Sequence, residues 1–181
     1  MHLRRLCAFA CALALLAVIG IVFYFTGRTV STVTYPKRKL PIYGVNTEEK
    51  KIALTFDCAW ENSDTQILLD LLKQNDIKAT LFATGDWCER FPDDVKSFAD
   101  AGHDIQNHSY GHPHVATISE DKLIEDTRKC DDIIESLTGN KPTLYRAPYG
   151  EYSDAMLTTF EETLGHKVIQ WDVDSLDWKE L

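Results

Sequence analysis

From Lys51 onward the chain alternates short apolar runs with longer amphipathic ones. Lys51–Phe56 (KIALTF) reads as a buried strand. Ser63 can cap a following helix, in which Ile67, Leu68, Leu71 and Leu72 recur at helical spacing. Ala79–Thr84 (ATLFAT) reads as a second strand. Pro92 suits the first turn of a helix that ends near Gly102, because proline lacks the N–H that the first turn leaves unpaired anyway. Asp104–Asn107 is a short third strand. Ser119 opens a long helix through Leu123, Ile124, Ile133, Ile134 and Leu137, closed by Gly139. Thr143–Arg146 is a fourth strand, Asp154–Thr163 a helix and Lys167–Val173 a fifth strand. Strands that alternate with helices predict parallel βα units, hence an α/β fold that is either an open sheet or a barrel. In both, chemistry gathers where strands end. Asp57, His108, Arg146, Asp174 and Asp177 fall at or just after such ends.

The region before Lys51 has a different pattern. Leu6–Phe25 is 20 residues long and carries no charge. At ~1.5 Å per residue it matches a ~30 Å hydrocarbon core. A cleaved secretory signal would have a shorter apolar run followed by a small-x-small site, and neither is evident. Residues 1–27 therefore read as an uncleaved transmembrane signal anchor, and 28–46, with Pro36, Pro41 and Gly44, as a stalk or linker. Arg4 and Arg5 favour an inside N-terminus, although Arg28 and Lys37–Lys39 are basic on the other flank. The expected location is the cell membrane, single-pass, with residues 47–181 extracytoplasmic.

Charge removes one class of function. Six of the 19 basic residues and none of the 28 acidic ones lie in the first 40 positions, so the remainder carries a net charge of −15. Binding to a phosphate backbone needs clustered Lys and Arg, so nucleic acid is not an expected partner. Cys58, Cys88 and Cys130 are an odd count without regular spacing, and they do not read as a disulfide framework. A Cys88–Cys130 bridge stays open.

Three clusters could carry chemistry. Asn107–Pro113 (NHSYGHP) holds His108 and His112 at i and i+4, which on one helical turn would face the same metal ion. His103 and His114 read as incidental surface histidines. Tyr145–Gly150 (YRAPYG) places Arg146 at a strand end, where its fork could hold a carboxylate or form a structural ion pair. Trp171–Trp178 (WDVDSLDW) is dense in acids and indoles, as a solvated turn also would be. A metalloprotease built on the histidine pair would need the helix glutamate of HExxH, which is missing.

TFD, HSYGH, RAPYG and VDSLDW, in this order and spacing over Lys51–Trp178, resemble the successive motifs of the NodB-homology polysaccharide deacetylases, carbohydrate esterase family four. The TFD-x-x-W wording and the membrane anchor together resemble the PdaB-like, sporulation-associated subgroup. The resemblance implies a distorted (β/α) barrel and metal-assisted removal of acetyl groups, N-acetyl foremost, from cell-wall or surface glycan. It implies Asp57 as general base, Arg146 as its orienting partner and the Tyr149 backbone N–H as oxyanion donor. It further implies His108 and His112 as ligands of a divalent metal, commonly zinc. Asp177 would tune a catalytic histidine, while Trp178, with Tyr149, would line the acetyl pocket.

Two departures stand out. The family's third metal ligand is a second aspartate, and here that position is Cys58, either a thiolate ligand or a small apolar residue in a site without metal. The family's last motif, a strand ending in the general-acid histidine, does not follow Trp178. The expectation is a barrel truncated after its fifth strand, a C-terminally incomplete domain over 47–181, acting as a monomer on acetylated glycan or retaining the fold as a non-catalytic glycan-binding protein.

Overall fold

The computed structural model describes residues 13–19, 21, 24 and 37–179. Contacts divide the chain into two units, 1–37 and 38–181. In the first, residues 13–19, 21 and 24 are helical. Much of the Leu6–Phe25 run, and residues 28–36 of the expected stalk, lie outside the described residues. Among those described, no helix is long and apolar enough to cross a membrane.

The second unit is built on five parallel strands: β1 (Thr55–Cys58), β2 (Thr80–Ala83), β3 (Asp104–Asn107), β4 (Leu144–Tyr145) and β5 (Lys167–Val168). Between them run α1 (Thr65–Gln74), α2 (Gly85–Arg90), α3 (Pro92–Asp100), α4 (Glu120–Thr138) and α5 (Asp154–Thr159), the last extended by a π turn at Phe160–Leu164. The strands lie in the sheet in the order in which they occur in the chain. A doubly wound sheet reverses direction at a switch point; this one does not, and right-handed crossovers then put every helix on one side. Residues 38–46 belong to this unit. Ile42 forms a parallel bridge to Ile169, donating to the Val168 carbonyl at 2.8 Å and accepting from the Gln170 N–H at 2.8 Å.

The boundaries follow local chemistry. Ser119 caps α4 by accepting from the Lys122 N–H, and Gly139 ends it in the left-handed conformation at φ 74°. Thr84 caps α2, a helix hidden in the sequence because its cap is also the end of a strand run. Ser153 caps α5.

The pleat sends alternate side chains to opposite faces of the sheet. Phe56, Cys58, Leu81, Ala83 and Ile105 meet the helices, packing with Trp87, Val95, Phe98, Cys130 and Ile134. A second cluster joins Tyr145, Phe160, Leu157 and Val168, with the Tyr145 and Phe160 rings 4.1 Å apart. Each large side chain buried there contributes about 1.5–3 kcal/mol. Thr55, Asp57, Phe82 and Arg146 point the other way.

Candidate active site

The inner face converges on Arg146, at the end of β4. It is buried, with its guanidinium 4.1 Å from the Phe82 ring centroid and 5.7 Å from that of Trp171. Its Nη1 donates to Asp57 Oδ1 at 2.7 Å and to Thr55 Oγ1 at 2.9 Å, and its Nη2 to the Gln170 carbonyl at 3.4 Å. The Arg146 carbonyl faces His108 Nδ1 at 2.8 Å, which makes that nitrogen the protonated one. His108 Nε2 is left with its lone pair, 3.9 Å from Asp57 Oδ2. Strand ends on β1, β3 and β4 thus bring a carboxylate, an imidazole and a guanidinium together.

His112 joins them through a loop. HSYGH follows β3 without helical structure, and both Ser109 (φ 71°) and His112 (φ 54°) are left-handed. The expected helical turn is therefore absent, yet the two imidazoles still meet, with centroids 5.0 Å apart and planes at 72°. Hydrogen bonds hold the loop in this shape: Asn107 Oδ1 accepts from the Ser109 N–H, Asp126 from the Tyr110 N–H, and Ser109 Oγ from the His112 N–H. Asn107 is anchored in turn by donating to the Thr127 carbonyl and to Asp131, which also pairs with His166. Burial lowers the pKa of His108 against the opposing charge of Asp57. Burial, then the neighbouring His108, lowers that of His112. Both rings are neutral near pH 7 and can offer lone pairs.

Tyr149 sits beside His112, 4.7 Å between centroids, with left-handed backbone at φ 59°. Gly150 after it is also left-handed, and a Cβ there would come within 2.9 Å of Trp171. His114 is no bystander: it stacks on Tyr149 at 4.1 Å and 11°, and its Nδ1 lies 2.9 Å from Glu151 Oε1. That bond, helped by the Ala116 N–H, holds the Glu151 carboxyl below its usual pKa. Sequence reading missed this link between the two motif loops, since nothing along the chain pairs residues 37 apart.

The remaining candidates stand elsewhere. Cys58 is partly buried on the helix side, against the apolar cluster, and burial pushes its thiol pKa well up. Asp57 and Cys58 are consecutive in a strand, so the pleat separates them. Asp177 and Trp178 are exposed in the turn after β5, and their contacts among the described residues do not reach Asp57 or the histidines. All three cysteines of the described residues are free.

A divalent metal fits this donor set in part. Two neutral imidazoles are adjacent, and His112 Nδ1 is buried without a hydrogen-bond partner, which suits a ligand. Among the described residues, however, no three His, Cys, Asp or Glu side chains are grouped to hold an ion. Cys58 does not complete the set.

The family model for polysaccharide deacetylase matches residues 44–169. The chain is 40% identical over 129 residues to a peptidoglycan-N-acetylglucosamine deacetylase of Bacillus cereus, covering 71% of this chain and 46% of that protein. It is 36% identical over 135 residues to the peptidoglycan-N-acetylmuramic acid deacetylase PdaA of Bacillus subtilis, covering 74% and 51%. Among solved structures, a CE4 family pseudoenzyme from Bacillus anthracis superposes with a TM-score of 0.74 at 32% identity, covering 78% of this chain and 50% of that one. The chain thus spans about half the length of the curated relatives it matches.

Proposed function

Because this chain belongs to the polysaccharide deacetylase family, we propose that it removes N-acetyl groups from a cell-wall glycan such as peptidoglycan. The observation that carries this reading is the Asp57–Arg146 contact at 2.7 Å, with His108 fixed in one tautomer beside it. Arg146 holds the Asp57 carboxylate in place, with Oδ1 2.7 Å from Nη1, so Asp57 is aimed to take the proton of the attacking water. The Tyr149 backbone N–H, presented by its left-handed conformation, stabilises the oxyanion. His108 and His112 would hold a divalent ion, zinc by their imidazole chemistry. The chemistry that such an ion supplies when bound is polarisation of the acetyl carbonyl and acidification of water. The substrate class is taken from the relatives' own substrates.

The same proposal takes Leu6–Phe25 as a single membrane anchor and shortens the stalk of 28–46 to 28–37, because residues 38–46 belong to the folded unit. It takes the rest as an extracytoplasmic monomer whose five strands are consecutive staves of a distorted barrel. Membership of the PdaB-like subgroup, and with it sporulation, rests on the TFD-x-x-W wording and the expected membrane anchor. Cys58 favours a second reading, a glycan-binding protein without turnover, and the pseudoenzyme among the similar structures supports the same idea. Acetate release from acetylated peptidoglycan by the full chain and by Asp57→Asn separates the two. Release by the wild type and none by the variant is the expected outcome. Glycan binding without release by either supports the second reading.

A further inference from the structure

Beside the Asp57–His108 cluster stands Trp60, a side chain that the chemistry above does not use. It is 67% exposed, although burying an indole is among the larger gains open to a folding chain. Its ring centroid is 5.4 Å from that of His112, on the loop that leaves β1. That loop is held firmly. Arg90 donates through Nη1 to the Trp60 carbonyl at 2.8 Å and through Nη2 to the Ala59 carbonyl at 3.0 Å. Asp86 fixes the same guanidinium at 2.9 Å from Nε. Trp87 Nε1 donates to the Glu61 carbonyl at 3.0 Å, and Asn62 donates to Asp94 at 2.7 Å. Every residue from 59 to 62 is thus tied to α2 or α3, yet the indole they carry stays largely exposed, with the His112 ring beside it.

A rigid backbone that presents an exposed aromatic plane beside a reacting centre has the form of a preorganised binding platform. The ligand chemistry follows from the neighbours. Trp60, His112 and Tyr149 make a run of three neighbouring rings, Trp60 tilted at 56° to His112 and Tyr149 edge-on to it at 73°. A pyranose offers an apolar C–H face of matching size, with hydroxyls left free for water. We propose that Trp60 stacks a sugar unit next to the one that carries the reacting acetamide, and that Arg90 is the positioning residue that holds the platform. The inference rests on the deacetylase reading for its substrate class, but it is tested by binding rather than turnover.

The test is calorimetric titration of the full chain with the N-acetylglucosamine tetramer and with N-acetylglucosamine alone. Trp60→Ala is expected to weaken tetramer binding at least about tenfold and leave the monomer unchanged. Trp60→Phe, which keeps a ring face, is expected to stay within about threefold of the wild type, and Arg90→Ala to fall between the two. Where acetate is released, Trp60→Ala raises KM for the tetramer and leaves kcat within about twofold. Tetramer binding equal in the wild type and Trp60→Ala, or absent from the wild type, overturns the platform. Trp60-dependent binding without acetate release sustains the platform and removes only the hydrolytic reading.

Discussion

The two faces of β1 are made of neighbouring residues and have opposite character. Thr55 and Asp57 look inward to Arg146, in a polar set in which each hydrogen bond fixes the next group. Phe56 and Cys58 look outward into the cluster of Trp87, Cys88, Cys130 and Ile134, where nothing is charged. One position along the strand decides whether a side chain joins the chemistry or the core. The inner face needs water and charge, while the outer face excludes both, so the same substitution has different consequences on each.

The sharpest contrast comes from removing the carboxylate on the inner face. Asp57→Ala leaves the buried Arg146 guanidinium with Thr55 and the long contact to Gln170 as its hydrogen bonds, over the Phe82 and Trp171 rings. We expect a loss of about 2–4 kcal/mol in urea unfolding, after allowing for the partial exposure of Asp57. Any acetate release should fall by about 10²–10⁴-fold. Unchanged stability would mean that Asp57 and Arg146 are not paired.

The outer face can be broken by introducing charge. Cys58→Asp would set a carboxylate against the apolar cluster, with an expected cost of about 2–3 kcal/mol. The family's own pattern has an aspartate at this position, so the experiment cuts both ways. A Cys58→Asp protein as stable as the wild type, with tighter metal binding, would put residue 58 on the inner face and erase the contrast.

A more gradual effect, at most about 1.4 kcal/mol for each pH unit, is expected on the alkaline side. Burial pushes the Cys88 thiol up to about 12, while an unfolded thiol titrates near ~8.5. Between these values the folded chain keeps a proton that the unfolded chain has lost. Stability present below pH ~8.5 therefore declines as pH rises, by at most about 1.4 kcal/mol per unit for each such thiol. Cys88→Ala should flatten the alkaline limb of the stability profile, and an unaltered limb would show that Cys88 is not protected.

Much of this arrangement could be read along the chain, for reasons that are local. β3 begins and ends where expected, and the Ser119 cap and Gly139 terminator of α4 each act within one turn. The alternation of Thr55 and Asp57 with Phe56 and Cys58 is also a sequence property. Only the motif resemblance places Cys58 with the histidines; the pleat points it the other way. Other features depend on distant partners. The His108–His112 pair is set by left-handed residues and by Asn107, Asp126 and Ser109 rather than by helical spacing. The role of His114 needs Tyr149 and Glu151, which arrive from the other motif loop. The exposure of Trp60 follows from where α2 and α3 dock.

The central claim is that the chemistry belongs to the inner face and that Cys58 stands outside it. Zinc titration of the full chain beside Cys58→Ala and a His108→Ala, His112→Ala double variant tests this most directly. We expect zinc affinity in Cys58→Ala to stay within about twofold of the wild type and to be lost in the double histidine variant. A weakening of about tenfold or more in Cys58→Ala would make the thiol a ligand and contradict the account.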